Sequence, residues 1–220
     1  MSRLVVFGDS NTYGHGLEDC FHPPTNSYGP NPSKYAWPVH LSKLLNKELV
    51  HSVDTCMPGS SNLEILYKIL YFKFKPDDTI VILWSFAARD LLLNKNCMNI
   101  EGSSPFEKHS LQRLAPHDAE YENVGLWLNL YSNFDFHIRS WFYAHHAECY
   151  LELNKIKNYS FFLDRPNMVD NYFPTFLTFK NAYLSTHFLK QDTALDGVHP
   201  GLKSHIAMAN TINEIIKNNP

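Results

Sequence analysis

The sequence has no Cys-x-x-Cys pair. Its four cysteines, Cys20, Cys56, Cys97 and Cys149, are scattered. A zinc knuckle or thioredoxin-like motif is therefore unsupported, and the cysteines read as free thiols of a reducing compartment. There is no basic run either. Lys and Arg number 19 against 22 Asp and Glu, a net charge of −3, so the basic face that phosphate-dominated binding requires is missing and no nucleic-acid partner is expected. No apolar stretch approaches the roughly 18 residues of a membrane span. The apolar run Leu4-Val5-Val6-Phe7 is too short for the core of a signal peptide, and a cytoplasmic location is expected. Internal repeats and low-complexity tracts are absent.

Nucleotide motifs are missing as well. No Gly-Lys-Ser/Thr is present, and Gly14-His15-Gly16 lacks the third glycine of a dinucleotide fingerprint. The twelve histidines invite a metal, but no His-Glu-x-x-His occurs. The adjacent pair His145-His146 would point about 100° apart on a helix and share no face. No metal and no cofactor are expected.

What is present is a chain that can bury a core: 44% hydrophobic, 19% charged and rich in Phe and Tyr. Leu4–Phe7 reads as a buried strand, followed by a polar, proline-rich loop from Asn11 to about Pro32. The spacing of Trp37, Leu41, Leu44 and Leu45 predicts a helix, with Pro38 tolerated only in its first turn. Glu48–Val53 alternates as a second strand. Pro58-Gly59 breaks the chain, and Ser61-Asn-Leu-Glu64 opens a second helix with a capping box. That helix carries Leu63, Leu66 and Leu70 on one face, with Ile65, Ile69 and Phe72 beside them. Thr79–Trp84 has the unbroken apolar character of a central parallel strand. Residues 94–120 and 164–194 show no period and read as loop or cap insertions. Residues 121–150 read as helical, and Tyr159–Leu163 as a fourth strand. A last helix from Gly201 to about Lys217 has Leu202, Ile206, Ala209, Ile212 and Ile216 on one face. This alternation predicts an α/β doubly wound fold, with residues 1–220 forming one domain.

Two motifs can carry chemistry. Gly8-Asp9-Ser10-Asn11-Thr12-Tyr13-Gly14 stands at the carboxyl end of the first strand, where ligands of open α/β sheets bind. Ser10 there is either an exposed nucleophile or the cap of a tight turn. Asp196-Gly197-Val198-His199-Pro200 precedes the last helix. A serine needs an adjacent base, and a histidine oriented by a carboxylate supplies one. The plain alternative is a helix-start turn capped by Asp196.

Together these motifs resemble the SGNH hydrolases, the GDSL-like esterases. The resemblance rests on Gly8-Asp9-Ser10 after the first strand, Ala36-Trp37-Pro38 with Leu41, Gly59 after the second strand, and Asp196-x-x-His199 near the end. It implies a flavodoxin-like three-layer sandwich around a central parallel sheet. It also implies metal-independent hydrolysis of a carboxylic ester through an acyl-enzyme. Ser10 would be the nucleophile, His199 the base and Asp196 its orienter, with the N–H groups of Ser10 and Gly59 facing the oxyanion. The resemblance covers lipid esters, thioesters, aryl esters and acetylated sugars; the missing export signal and the polar loop around Ser10 favour a small acyl ester or a carbohydrate O-acetyl group. A non-catalytic binding module and an acyltransferase remain the alternatives.

The sequence departs from this family at one point. The family's Gly-x-Asn-Asp after the third strand supplies an oxyanion-binding asparagine. Here that strand runs into Trp84-Ser85-Phe86-Ala87-Ala88-Arg89-Asp90. Ser85 is the first candidate for the missing donor, followed by Asn62 and Arg89. His15 and His22, in the loop after the nucleophile, either touch substrate or are solvated. Trp127, Tyr131, Phe134, Trp141 and Tyr143 form either a cap or ordinary core.

Overall fold

A computed structural model describes residues 2–93, 111–114, 133–163, 182–183 and 190–219. Its main sheet has five parallel strands in the order β4-β1-β5-β8-β9. These are β1 (Arg3–Phe7), β4 (Glu48–Val50), β5 (Thr79–Trp84), β8 (Lys157–Phe162) and β9 (Ala182–Tyr183). In sequence order that is 2-1-3-4-5, the flavodoxin-like arrangement, whose direction of travel reverses between the first and third strands. The helices are α1 (Ser10–Tyr13), α2 (Trp37–Leu45), α3 (Asn62–Tyr71), α4 (Asn133–Leu153) and α5 (Leu202–Asn218). Two small antiparallel ladders, β2 (Phe21–His22) with β3 (Ser27–Tyr28) and β6 (Asp90–Leu93) with β7 (Leu111–Leu114), lie outside the sheet.

The strands are apolar on both faces because both are covered. Val5, Phe7, Ile80, Ile82 and Trp84 pack on α3 and α4 with Ile65, Ile69, Ala144 and Leu151. Their sequence neighbours Leu4, Val6, Val81 and Leu83 point the other way, onto Trp37 and Leu41 of α2 and Met208, Ala209 and Ile212 of α5. Full burial of each large side chain stabilises by about 1.5–3 kcal/mol, so a slip of one residue in β1 or β5 would exchange both faces at once.

Several elements differ from the sequence expectation. The Asn11–Pro32 loop contains the turn of α1 and the β2–β3 hairpin. α1 is too short to show a period, and its Ser, Asn and Thr favour caps over helix interiors. The strand expected to reach Val53 stops at Val50. Leu44 is exposed, and the buried face of α2 is Trp37, Leu41 and Ser42. In α3 the buried stripe is Ile65, Leu66 and Ile69, while Leu63 and Leu70 lie at its margins. In α5, Leu202 and Ile206 are exposed and the stripe runs through Ser204, His205, Met208, Ala209, Ile212 and Ile216. A histidine and a serine hide that register from a count of apolar residues.

The insertion expected at 94–120 contains β7, paired with β6; the rest of it lies outside the described residues. So does most of 164–194, apart from β9 and the segment from Lys190. Of the five aromatics, Trp141 is buried and Tyr143 packs against the α3–α4 core. The side chains of Trp127, Tyr131 and Phe134 are outside the described residues. No helix among the described residues is long and apolar enough to cross a membrane.

Candidate active site

The site begins where β1 ends. Gly8 bridges Cys56 and exchanges backbone hydrogen bonds with Thr55 and Met57. A Cβ on Gly8 would lie 2.0 Å from Thr12 Oγ1 and 3.1 Å from the Leu83 carbonyl. Only glycine lets α1 fold back so tightly on the strand. Asp9 then caps α1, its Oδ1 accepting from the Asn11 N–H at 2.9 Å. Ser10 is the first residue of that turn and is only 2% exposed. The sequence reading of an exposed nucleophile is corrected here: the turn and the residues opposite enclose it.

What stands opposite comes from the other end of the chain. His199 Nε2 is 3.0 Å from Ser10 Oγ, although 189 residues separate them. His199 Nδ1 is 2.5 Å from Asp196 Oδ2. A carboxylate accepts only, so Nδ1 carries the proton and Nε2 is left to accept from the serine. Asp196 Oδ1 accepts from the N–H groups of Val198 and His199, both at 2.9 Å. Burial pushes the Asp196 carboxyl up, but these N–H donors and the imidazole outweigh it and hold it below the usual carboxylate range. Asp196 therefore stays charged beside the His199 ring.

A second aspartate, missed in the sequence, holds this turn. The residue before α5 is Gly201, which has no side chain to cap the helix. Asp192 does so instead, accepting from the N–H groups of Lys203 and Ser204 at 2.9 Å and from Ser204 Oγ at 2.7 Å. Hydrogen bonds from Ala194 N–H to the His199 carbonyl and from Gly201 N–H to the Asp192 carbonyl close the loop carrying Asp196. The readable signal was the bare glycine at the cap.

The end of β5 carries Ser85 and Arg89, two of the candidates for an oxyanion donor. The Ser85 hydroxyl donates to Asp9 Oδ2 at 2.8 Å. Its one proton is thereby committed, so Ser85 supports Asp9 and is not the oxyanion donor the sequence led us to expect. Arg89 Nη1 donates to the same Asp9 oxygen at 2.8 Å and to Ser85 Oγ at 3.1 Å. Asn62 accepts from the Ser85 N–H at 2.7 Å and donates to the Ser85 carbonyl and Ser140 Oγ. Both of its amide protons are used. The backbone N–H groups of Ser10 and Gly59 have no hydrogen-bond partner among the described residues. Gly59 takes a φ of +79° just after the segment that Gly8 bridges.

No protein-family model matches the chain, and no curated relative does. Solved structures do. A carbohydrate esterase whose active site has divergent catalytic and non-catalytic binding functions superposes with a TM-score of 0.57 at 12% identity, over 99% of this chain and 65% of that one. TesA superposes at 0.55 and 14% identity, over 99% of both chains. The fold is that of the SGNH hydrolases. A family two carbohydrate esterase from Clostridium thermocellum, solved with cellohexaose, matches at 0.53 and 12% identity over 99% of this chain and 64% of that one. The present chain thus spans slightly under two thirds of the two carbohydrate esterases.

On this SGNH scaffold His15, Asp196 and His199 each bring a metal-ligand atom within 4.8 Å of the others. The sequence reading of no metal site could not test this trio, because its members lie at opposite ends of the chain. The geometry fits an ion poorly. The two imidazoles pack as tilted rings, 4.6 Å between centroids and 33° between planes, whereas ligands to one ion must aim their ring edges at it. Asp196 Oδ2 and His199 Nδ1 are already bonded to each other. His22, the other histidine of the nucleophile loop, is exposed and bonds Thr25. His145 and His146 sit on α4, and His145 Nε2 lies 3.6 Å from Cys149 Sγ.

Proposed function

We propose that this protein is a metal-independent serine hydrolase of carboxylic esters. The observation that carries the reading is the unbroken chain Ser10 Oγ to His199 Nε2 at 3.0 Å and His199 Nδ1 to Asp196 Oδ2 at 2.5 Å. Ser10 attacks the ester carbonyl while His199 takes its proton. Asp196 keeps the proton on Nδ1 and stabilises the imidazolium. The tetrahedral oxyanion is met by the unpaired N–H groups of Ser10 and Gly59. His199 then protonates the leaving alcohol, and the acyl group remains on Ser10. Water, deprotonated by His199, releases the acid and restores the serine.

The substrate class we infer is a small acyl ester or an O-acetylated carbohydrate. Two of the superposing proteins are carbohydrate esterases, one of them solved with cellohexaose, and this supports the carbohydrate reading. A fluorophosphonate should label Ser10 with no metal present, as read by mass spectrometry of the digest. Acetylated sugars and p-nitrophenyl acetate should be hydrolysed by the wild type and not by Ser10→Ala. Labelling at another residue, or equal turnover by both proteins, would overturn the assignment.

A further inference from the structure

We propose that His15 is a positioning residue for the general base, its ring backing the His199 imidazole so that Nε2 stays on the Ser10 hydroxyl. This rests on the triad reading above. His199 is held in its plane by Asp196 at one nitrogen and Ser10 at the other. In-plane bonds do not stop an imidazole from tipping about the axis between them. A ring packed against it does, and the His15 ring lies 4.6 Å away between centroids, tilted by 33°.

The backbone fixes His15 from both sides. Its N–H, and that of Gly14, donate to the Ser10 carbonyl at 3.0 and 2.9 Å. Gly16 takes φ +88° and packs so closely on Asp196 that a Cβ would sit 2.7 Å from Oδ2. The Gly16 carbonyl accepts from Leu195 N–H at 2.9 Å. Residues 14–16 thus join the nucleophile to the turn that carries its base. From behind, Tyr28 meets the His15 ring at 5.7 Å edge-on and Phe21 at 6.2 Å. The β2–β3 hairpin thereby supports the stack.

His15 works through its face. Its Nε2 is buried with no hydrogen-bond partner among the described residues, so no polar network depends on that nitrogen. Burial, and then the neighbouring His199, push its pKa below the usual histidine value. A neutral ring offers its π face to the imidazolium that forms during acylation, where a second cation would oppose it.

The test compares wild type, His15→Ala and His15→Phe. Each is assayed for the rate of Ser10 labelling by a fluorophosphonate, for kcat and KM on p-nitrophenyl acetate, and for its melting midpoint. His15→Ala should slow labelling and kcat by about 10–100-fold, the scale of a small misplacement of a reacting group, with KM within about twofold. His15→Phe should restore both to within about threefold. If His15→Ala does not fold, His15→Gln, which has no ring, takes its place. Wild-type labelling and kcat in the ringless variant would overturn the proposal while leaving the triad standing. So would a Phe variant as slow as Ala, or a loss confined to KM. Failure of the wild type itself to label at Ser10 would instead remove the triad reading on which the proposal depends.

Discussion

The ends of β1 and β5 lie side by side at the point where the sheet changes direction, and they are built on different plans. After β1 the chain makes one capped helical turn that presents Ser10. After β5 it carries Ser85 and Arg89, whose polar atoms turn back onto Asp9. The first end brings Ser10 to His199. The second supplies a counter-charge for the residue beside it. Asp9 is fully buried, and a buried carboxylate without partners is costly. The chain thus places a cation under the turn of α1.

The sharpest way to break this contrast is to remove one group from each end. On the proposed mechanism, Ser10→Ala should lower kcat by about 10⁴–10⁶, the scale of losing a serine nucleophile, and leave the melting curve close to wild type. Ester turnover by the purified variant within tenfold of wild type would end the distinction. Arg89→Met should act mainly on stability. Asp9 would keep only Ser85 and Asn11 as partners, and breaking a buried pair costs about 3–5 kcal/mol. Arg89 is 18% exposed at its side chain, which puts the expectation at the lower end. Urea denaturation measures it, and the double variant with Asp9→Asn should recover part of the loss. A single variant as stable as wild type would mean that the pair holds nothing together.

Acid reaches the β1 end through a buried histidine. The carbonyl of Thr12, in the turn of α1, accepts from His51 Nε2 at 2.9 Å, and burial pushes the His51 pKa down to about 4. His205 is pushed down to about 3, by burial first and then by His40; its Nδ1 accepts from the Trp37 N–H at 3.1 Å. Unfolding frees such histidines to bind protons near pH ~6.5. The stability they provide is present above that value. It is lost as pH falls toward the folded values, because the unfolded chain binds more protons throughout that window. At about 1.4 kcal/mol per unit, His51 accounts for a loss on the order of 2–3 kcal/mol between pH 6.5 and 4. His51→Gln should flatten the dependence of the urea midpoint on pH. An equally steep curve in that variant would assign the acid lability elsewhere.

The ease of reading these features from sequence follows how local their causes are. Ser10, Asp196 and His199 were legible because each sits in a short motif at a strand or helix boundary. The central strands were legible because β1 and β5 are unbroken apolar runs, whereas the flavodoxin-like order was expected only from the resemblance. The Asp9–Arg89 pair was hidden, since its members lie 80 residues apart and neither stands in a pattern that names a partner. Ser85 shows the same limit. Its position at the edge of β5 was correctly read, but not the direction of its hydroxyl, which the buried charge of Asp9 decides. In α5 the apolar count picked Leu202 and Ile206 for the core, whereas the buried face of that turn holds Ser204 and His205. Their hydrogen bonds to Asp192 and Trp37 make that burial tolerable.

The smallest effect concerns the support of the β5 end by α3. Ser61 caps that helix, its Oγ accepting from the Glu64 N–H at 3.3 Å. Asn62 follows at once, and its amide grips the N–H and carbonyl of Ser85. Removing a capping hydroxyl costs about 0.5–2 kcal/mol, and the long bond here places Ser61→Ala near the lower half of that range. If α3 serves β5 by aiming Asn62, the same variant should lower kcat by no more than a few-fold, because the backbone clamp persists. Asn62→Ala, which removes the clamp, should cost more in both readouts. Measured side by side, a capping variant that harms turnover as much as Asn62→Ala would show that the start of α3, and not the Asn62 amide, sets the position of Ser85.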